Sequence, residues 1–215
     1  MSSQLTLRNQ HSMHDRCALL SMCRYGISLA TAITLQTAQA EITVNDSRSD
    51  YAVHAANAVD LSLALKNTNR LREGGMIEVA LTTSKLSAQM SAKGHESGCR
   101  IDRVHITADV NIRMPTLQTS SPFLQAQWDY YYPHLLEHEM QHRAITLATA
   151  EQMEREILAL PDQNTCDDMM ADADATFKRL HQDGQRQQQL FDEAEYASGR
   201  LDLNNFFRPE QRSGH

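Results

Sequence analysis

The stretch CRIDRVHITADVNIRMP, residues 99–115, alternates in polarity. Ile101, Val104, Ile106, Ala108, Val110 and Ile112 fall mostly on one face of an extended chain. YAVHA (51–55) and MIEVALTTSKLSAQM (76–90) show the same period of two. Together these segments predict antiparallel strands with one face covered. Between them NAVDLSLALKNTNRLREGG (57–75) predicts a short helix, ended by Gly74 and Gly75.

After Ser120 the period changes to that of a helix. Ser120, Ser121 and Pro122 supply a cap and a first-turn proline, and apolar residues then recur three and four apart through Leu160. Pro133 lies inside this pattern, where proline removes a hydrogen bond and crowds the turn before it. A kink, or a fresh helix start at 133, is expected. PDQNT (161–165) turns the chain into a last helix over 167–198, in which Ala173, Phe177, Leu180, Gly184, Gln187, Phe191 and Ala194 repeat at four-three spacing. The predicted class is α+β, a small antiparallel sheet packed against a C-terminal antiparallel helical hairpin. It forms a single domain over 41–200, and the tail over 201–215 reads as flexible.

Composition changes the picture at the N-terminus. The 215 residues carry a net charge of −7 and contain no run of eighteen apolar residues, so no membrane span is expected. Arg8, Arg16 and Arg24, then the weakly charged YGISLATAITL, then Ala38-Gln39-Ala40 follow the order of a cleaved secretory signal, predicted over 1–40. Removing it takes away three Arg and one Asp, leaving 17 basic and 26 acidic residues and a net charge of −9. Nucleic acid and anionic membrane are poor partners for such a surface. Cys17 and Cys23 leave with the signal. Cys99 and Cys166 remain, and two cysteines in an exported chain predict one disulfide.

The chemistry concentrates in HLLEHEMQH, residues 134–142. On a helix His138 and His142 sit one turn apart and aim two imidazoles at one point, while Glu139 beside them is placed to poise a water. This HExxH pattern predicts a zincin-like metal helix with a zinc ion (Zn2+) as cofactor. His134 lies two turns, or ~12 Å, from His142 along the axis and does not complete the set. A catalytic zinc usually takes three protein ligands. The spacing HExxHxxGxxH is ruled out as the source of the third, because Ile145 and Ala148 occupy the Gly and His places. The last helix offers Glu195 and Asp183 toward its seam, with Asp192 and His181 farther round. Tyr130, Tyr131 and Tyr132 lie near enough in sequence to offer an oxyanion donor, though three adjacent tyrosines more often form a packing face.

A strand running from Cys99 to Pro115, Trp128, HEMQH, Cys166 and the C-terminal FDEAEYASG together resemble a bacterial family of secreted zinc-dependent proteases grouped under a domain of unknown function. The resemblance covers most of the chain after residue 40. Members end their last helix with an aromatic-Asp pair followed by Thr, His and Gly. Phe191 and Asp192 match that pair, whereas Glu195 takes the Thr place and Ala197 the His place. The family's His is then missing here, and Glu195 is the expected replacement.

The expected function is an exported zinc metallopeptidase. His138, His142 and Glu195 hold the metal, and Glu139 handles the proton of a zinc-activated water that attacks a peptide or protein substrate. The alternative is a non-catalytic periplasmic or surface binding protein with a degraded metal site.

Overall fold

The alternating stretch forms β3 (Gly98–Gln118), the middle strand of a three-stranded sheet ordered β1-β3-β2. The computed structural model describes residues 39–68 and 79–207. β1 spans Gln39–His54 and β2 Leu81–His95. Between them lies α1 (Ala58–Thr68), and α2 (Pro122–Leu158), α3 (Cys166–Ser198) and the short α4 (Leu203–Phe206) come after β3. Most of the expected signal over 1–40 lies outside the described residues, as do Gly74 and Gly75; Gln39 and Ala40 begin β1.

Ile101, Val104, Ile106, Ala108, Val110, Ile112 and Met114 of β3 are all buried. Ile101 and Val104, three apart, share a face because consecutive Ser91 and Ala92 pair with Arg103 and Ile101. Asp102 is the extra residue of that bulge, and it resets the alternation. On the opposite face β1 and β3 make polar cross-strand bonds, among them Asn45 Nδ2 to Asp109 Oδ1 at 2.8 Å and Asn111 Nδ2 to Ser47 Oγ at 2.9 Å.

The sheet is mixed, which corrects the expectation of antiparallel strands throughout. β2 and β3 form an antiparallel hairpin, but β1 runs parallel to β3, from Gln39 opposite Arg103 to His54 opposite Gln118. Alternation reports which face a residue takes and is silent on the direction of the neighbouring strand. The hairpin inserts β3 between β1 and β2, so strands consecutive in sequence flank it.

α2 begins as expected, with Ser121 Oγ accepting from Leu124 N–H at 3.2 Å and Pro122 in the first turn. It then runs through Pro133 as one helix of 37 residues, so no fresh start occurs at 133. Tyr131 and Leu135 are buried on either side of the proline, and their packing outweighs the one backbone bond that proline forgoes. Two apolar clusters sit under this helix. Leu124, Trp128, Tyr131 and Leu135 join Leu61 and Leu65 of α1 in one; Ala150, Met153 and Ile157 join Met169, Ala173 and Leu180 of α3 in the other. Of the segment after residue 200, Leu201, Leu203, Phe206 and Phe207 pack against the first cluster. Phe207 lies 6.2 Å from Trp128 and 5.3 Å from Tyr131, ring to ring. The remainder of that tail lies outside the described residues.

α2 and α3 are antiparallel, as predicted, but their register is displaced. A tight hairpin closing at 158 and 166 would set Gly184 near residue 140. Instead Gly184 lies against Thr149, about nine residues or ~13 Å farther along. The linker is the cause. Before α3 starts, it is drawn to the end of the β2–β3 hairpin, where Cys99 N–H donates to Gln163 O at 2.7 Å and Gln163 N–H donates to Cys99 O at 2.9 Å. Cys99 and Cys166 sulfurs lie at disulfide distance there, as the cysteine count predicts. Gly98 is required at this junction, because its φ is 146° and a Cβ would stand 2.3 Å from Gln163 O.

Both the cysteine pair and the glycine contact can be tested by stability. Reduction, or Cys166→Ala, opens a 67-residue loop worth about 3–5 kcal/mol in the chain-entropy model, so Tm should fall by roughly 10 °C in a thermal melt. Gly184→Ala places a methyl 2.7 Å from Thr149 Oγ1 and 2.8 Å from its Cγ2. It should cost about 1–3 kcal/mol by denaturant titration, and Thr149→Ala in the same chain should recover part of the loss.

Candidate metal centre

Between the two apolar clusters, α2 turns a polar segment inward. Glu139, Thr146 and Thr149 are buried, and His138 and His142 stand on the side facing α3. The two imidazoles are one helical turn apart, with centroids 4.7 Å apart, planes at 83° and Nε2 atoms 3.1 Å apart. Phe191 of α3 stacks on His138 at 4.8 Å and meets His142 edge-on at 5.1 Å, which fixes both rings.

The third group is Asp192. Its Oδ1 lies 2.8 Å from His142 Nε2 and 3.3 Å from His138 Nε2. One ligand atom from each of His138, His142 and Asp192 fits within 4.8 Å of the others. Two imidazole nitrogens and a carboxylate oxygen form a donor set suited to zinc and other first-row divalent ions. Glu195, the expected third ligand, is not part of this group. Its Oε2 approaches the far nitrogen of His138, Nδ1, at 3.9 Å, and it also lies 3.2 Å from Arg200 Nε. Asp183 pairs with Arg179 and Arg186, and His181 stacks on Phe177. His134 packs against Tyr130 and Phe206, apart from the cluster.

The phase of α3 accounts for the difference at Asp192. At 100° per residue, a seam through Gly184, Gln187, Phe191 and Ala194 leaves Asp192 about 120° off centre. Gln187 and Ala194 are in fact exposed. The residues that meet α2 are Gly184, Gln188, Phe191 and Glu195, and on that seam Asp192 comes within about 70°.

Gln188 carries no signal in the sequence. Its Nε2 donates to His142 O at 2.9 Å and to Thr146 Oγ1 at 3.1 Å, which turns its Oε1 toward His142 Nδ1 at 2.6 Å. Nδ1 is therefore a protonated nitrogen, which leaves Nε2 as the atom that donates to Asp192 and that would offer a lone pair to a cation once its proton is lost. The run GQRQQQ gives no local sign of which glutamine does this. Thr82 of β2 is equally silent. Its hydroxyl lies 2.7 Å from Glu139 Oε2 and 3.1 Å from Glu139 O.

Electrostatics separate the carboxyls. Burial pushes the Glu139 carboxyl up, against the opposing pull of the Thr82 hydroxyl and of both histidines. Burial acts in the same direction on Asp192, but the hydrogen bonds from His138 and His142 outweigh it and hold Asp192 well below the ordinary carboxylate range. Burial would lower His142, and the bonds to Asp192 and Gln188 overcome it and raise the imidazole. His138, Glu139, Asp192 and Glu195 all line one cavity of about 450 Å³. Leu65, Ala80, Tyr131, Leu135, Leu201 and Leu203 form its apolar walls. Tyr131 faces this space, whereas Tyr130 is exposed.

In protein without a bound metal the His142–Asp192 pair should stabilise the fold over a defined pH window. The raised His142 contributes fully below its unfolded value of 6.5 and loses that contribution as pH rises through its folded value. The lowered Asp192 contributes above 3.8 and loses it as pH falls through its folded value. Thermal melts should therefore show Asp192→Asn costing most between about pH 4 and about pH 6.5, and much less near pH ~9.

No curated protein and no solved structure matches the chain. The profile of a family described as bacterial proteins of unknown function (DUF922) matches residues 48–199. That span holds Cys99, Cys166, Thr82, the HExxH residues, Gln188, Asp192 and Glu195, and the chain belongs to this family.

Proposed function

We propose that the chain is an exported zinc-dependent peptidase. One observation carries the reading: two imidazole Nε2 atoms and a carboxylate oxygen converge beside a cavity lined by His138, Asp192 and the buried, raised carboxyl of Glu139. His138, His142 and Asp192 would hold the metal. Zinc bound there would polarise a carbonyl and lower the pKa of a water to about 7. Glu139 takes the proton of the attacking water through a carboxyl that burial makes a stronger base, and it returns the proton to the leaving amine. The Thr82 hydroxyl holds Glu139 Oε2, so the other oxygen is the one free to face the cavity. The apolar walls exclude water from around the reacting bond and receive a side chain of a peptide or protein substrate.

Export is supported by the cysteine pair at disulfide distance, which belongs to an oxidising compartment. Among the described residues no helix is long and apolar enough to cross a membrane.

Glu139→Gln should keep one zinc per chain by metal analysis and lower hydrolysis of a fluorogenic peptide library by about 10²–10⁴-fold, since the amide has the same shape and cannot take the proton. A chelator should abolish hydrolysis, and zinc should restore it. Wild-type protein that holds zinc but cleaves nothing in the library would favour the non-catalytic binding role instead.

A further inference from the structure

Two polar atoms at the centre are buried without a hydrogen bond, His138 Nδ1 and Glu195 Oε2, and they face each other across 3.9 Å. Their separation is too long for a bond and too short for an intervening water. On the other imidazole, Gln188 Oε1 already holds the corresponding nitrogen, His142 Nδ1, at 2.6 Å. The two far nitrogens thus point at two acceptors of α3 seven residues apart.

Resting on the metal reading above, we propose that Glu195 and Gln188 are the positioning residues of the centre. Glu195 acts on His138 and Gln188 on His142, each fixing its ring proton on Nδ1 so that both Nε2 lone pairs face a divalent cation. A cation drawn to His138 Nε2 leaves Nδ1 as the only place for the ring proton. That N–H is buried and needs an acceptor, and Glu195 Oε2 is the one at hand. Closing the 3.9 Å gap would give each of these atoms the hydrogen bond it lacks in one movement. Glu195 is itself held in place: Arg200 Nε lies 3.2 Å from its Oε2, while the same guanidinium donates to Glu137 Oε2 at 3.1 Å on α2. Charge fits as well. Asp192 within the donor set and Glu195 behind it supply two negative charges for a divalent ion in a half-buried site.

The two partners differ in kind, one an anion and one a neutral amide, so their substitutions should not behave alike. Zinc affinity would be measured by competition with a chromophoric chelator, on variants whose melting curves show that they are folded. Asp192→Ala, which removes a ligand, should lose stoichiometric zinc. Glu195→Ala and Gln188→Leu should keep one zinc per chain and bind it roughly 10- to 100-fold more weakly. Glu195→Gln, which retains an acceptor, should recover part of the loss seen with Glu195→Ala. Long-range ¹H–¹⁵N spectra of zinc-loaded wild type should show His138 and His142 both protonated at Nδ1, and in Gln188→Leu the His142 signal should shift while that of His138 does not. Glu195→Ala binding zinc as tightly as wild type would overturn the role given to Glu195. So would loss of zinc as complete as in Asp192→Ala, which would make Glu195 a ligand. Wild-type protein that binds no zinc would overturn the metal reading along with it.

Discussion

Gly184 lies directly against the Thr149 side chain, and the centre depends on that contact. Two helices can approach this closely only where one of them has no Cβ. The crossing places Gln188, Asp192 and Glu195, about one, two and three turns farther along α3, opposite His142 and His138. It occurs at this point because the start of α3 is tied to the β2–β3 hairpin at Cys99. A sheet end therefore sets the position of a carboxylate more than twenty residues away along a helix. Rigid secondary structure transmits the offset, because each residue of helix adds a fixed ~1.5 Å.

What could be read in the sequence divides along the same physical line. The buried face of β3, the cap at Ser121 and the pairing of two imidazoles by HExxH are local properties, set by the geometry of one element, and each is present in the structure. The parallel pairing of β1 with β3 is a relation between elements and leaves no trace in the alternation of either. The third member of the cluster was hidden for a related reason. Weighting the apolar look of Ala194 gives α3 a four-three seam, whereas the true contact face includes Gln188 and Glu195, polar residues that are inward because they serve the histidines. At a functional site, polarity misleads a reading that equates inward with apolar.

The interior shows how such a site is accommodated. α2 passes from one apolar cluster to the other through a stretch that buries Glu139, Thr146 and Thr149. A buried polar group without a partner costs about 1–3 kcal/mol. Thr146 and Thr149 avoid this by donating to His142 O and Ile145 O, one turn back in their own helix, and Glu139 by accepting from Thr82. His138 Nδ1 has no such escape, and Glu195 Oε2 has only the Arg200 guanidinium beside it, without a hydrogen bond. The polar stretch is thus satisfied everywhere except against the ring whose Nε2 belongs to the cluster, which is where a bound cation would act on the fold as well as on chemistry.

The family match ends at Gly199, the left-handed C-cap of α3, and the cavity does not. Leu201, Leu203 and Asn204 form one of its walls from beyond that boundary, anchored by Phe207 against Trp128 and Tyr131. On the proposed reading, proton handling and metal holding reside in residues inside the matched span, while part of the surface that meets the substrate is contributed by the segment after it. Gly199 joins the two, since its φ of 65° lets the chain leave α3 and fold back over the cavity. A peptide side chain entering this space would touch that segment on one side and His138 and Glu139 on the other. On the same reading, selectivity would change through residues 201–204 without changing the ligands, because His138 and His142 lie on α2 and Asp192 on α3, all before Gly199.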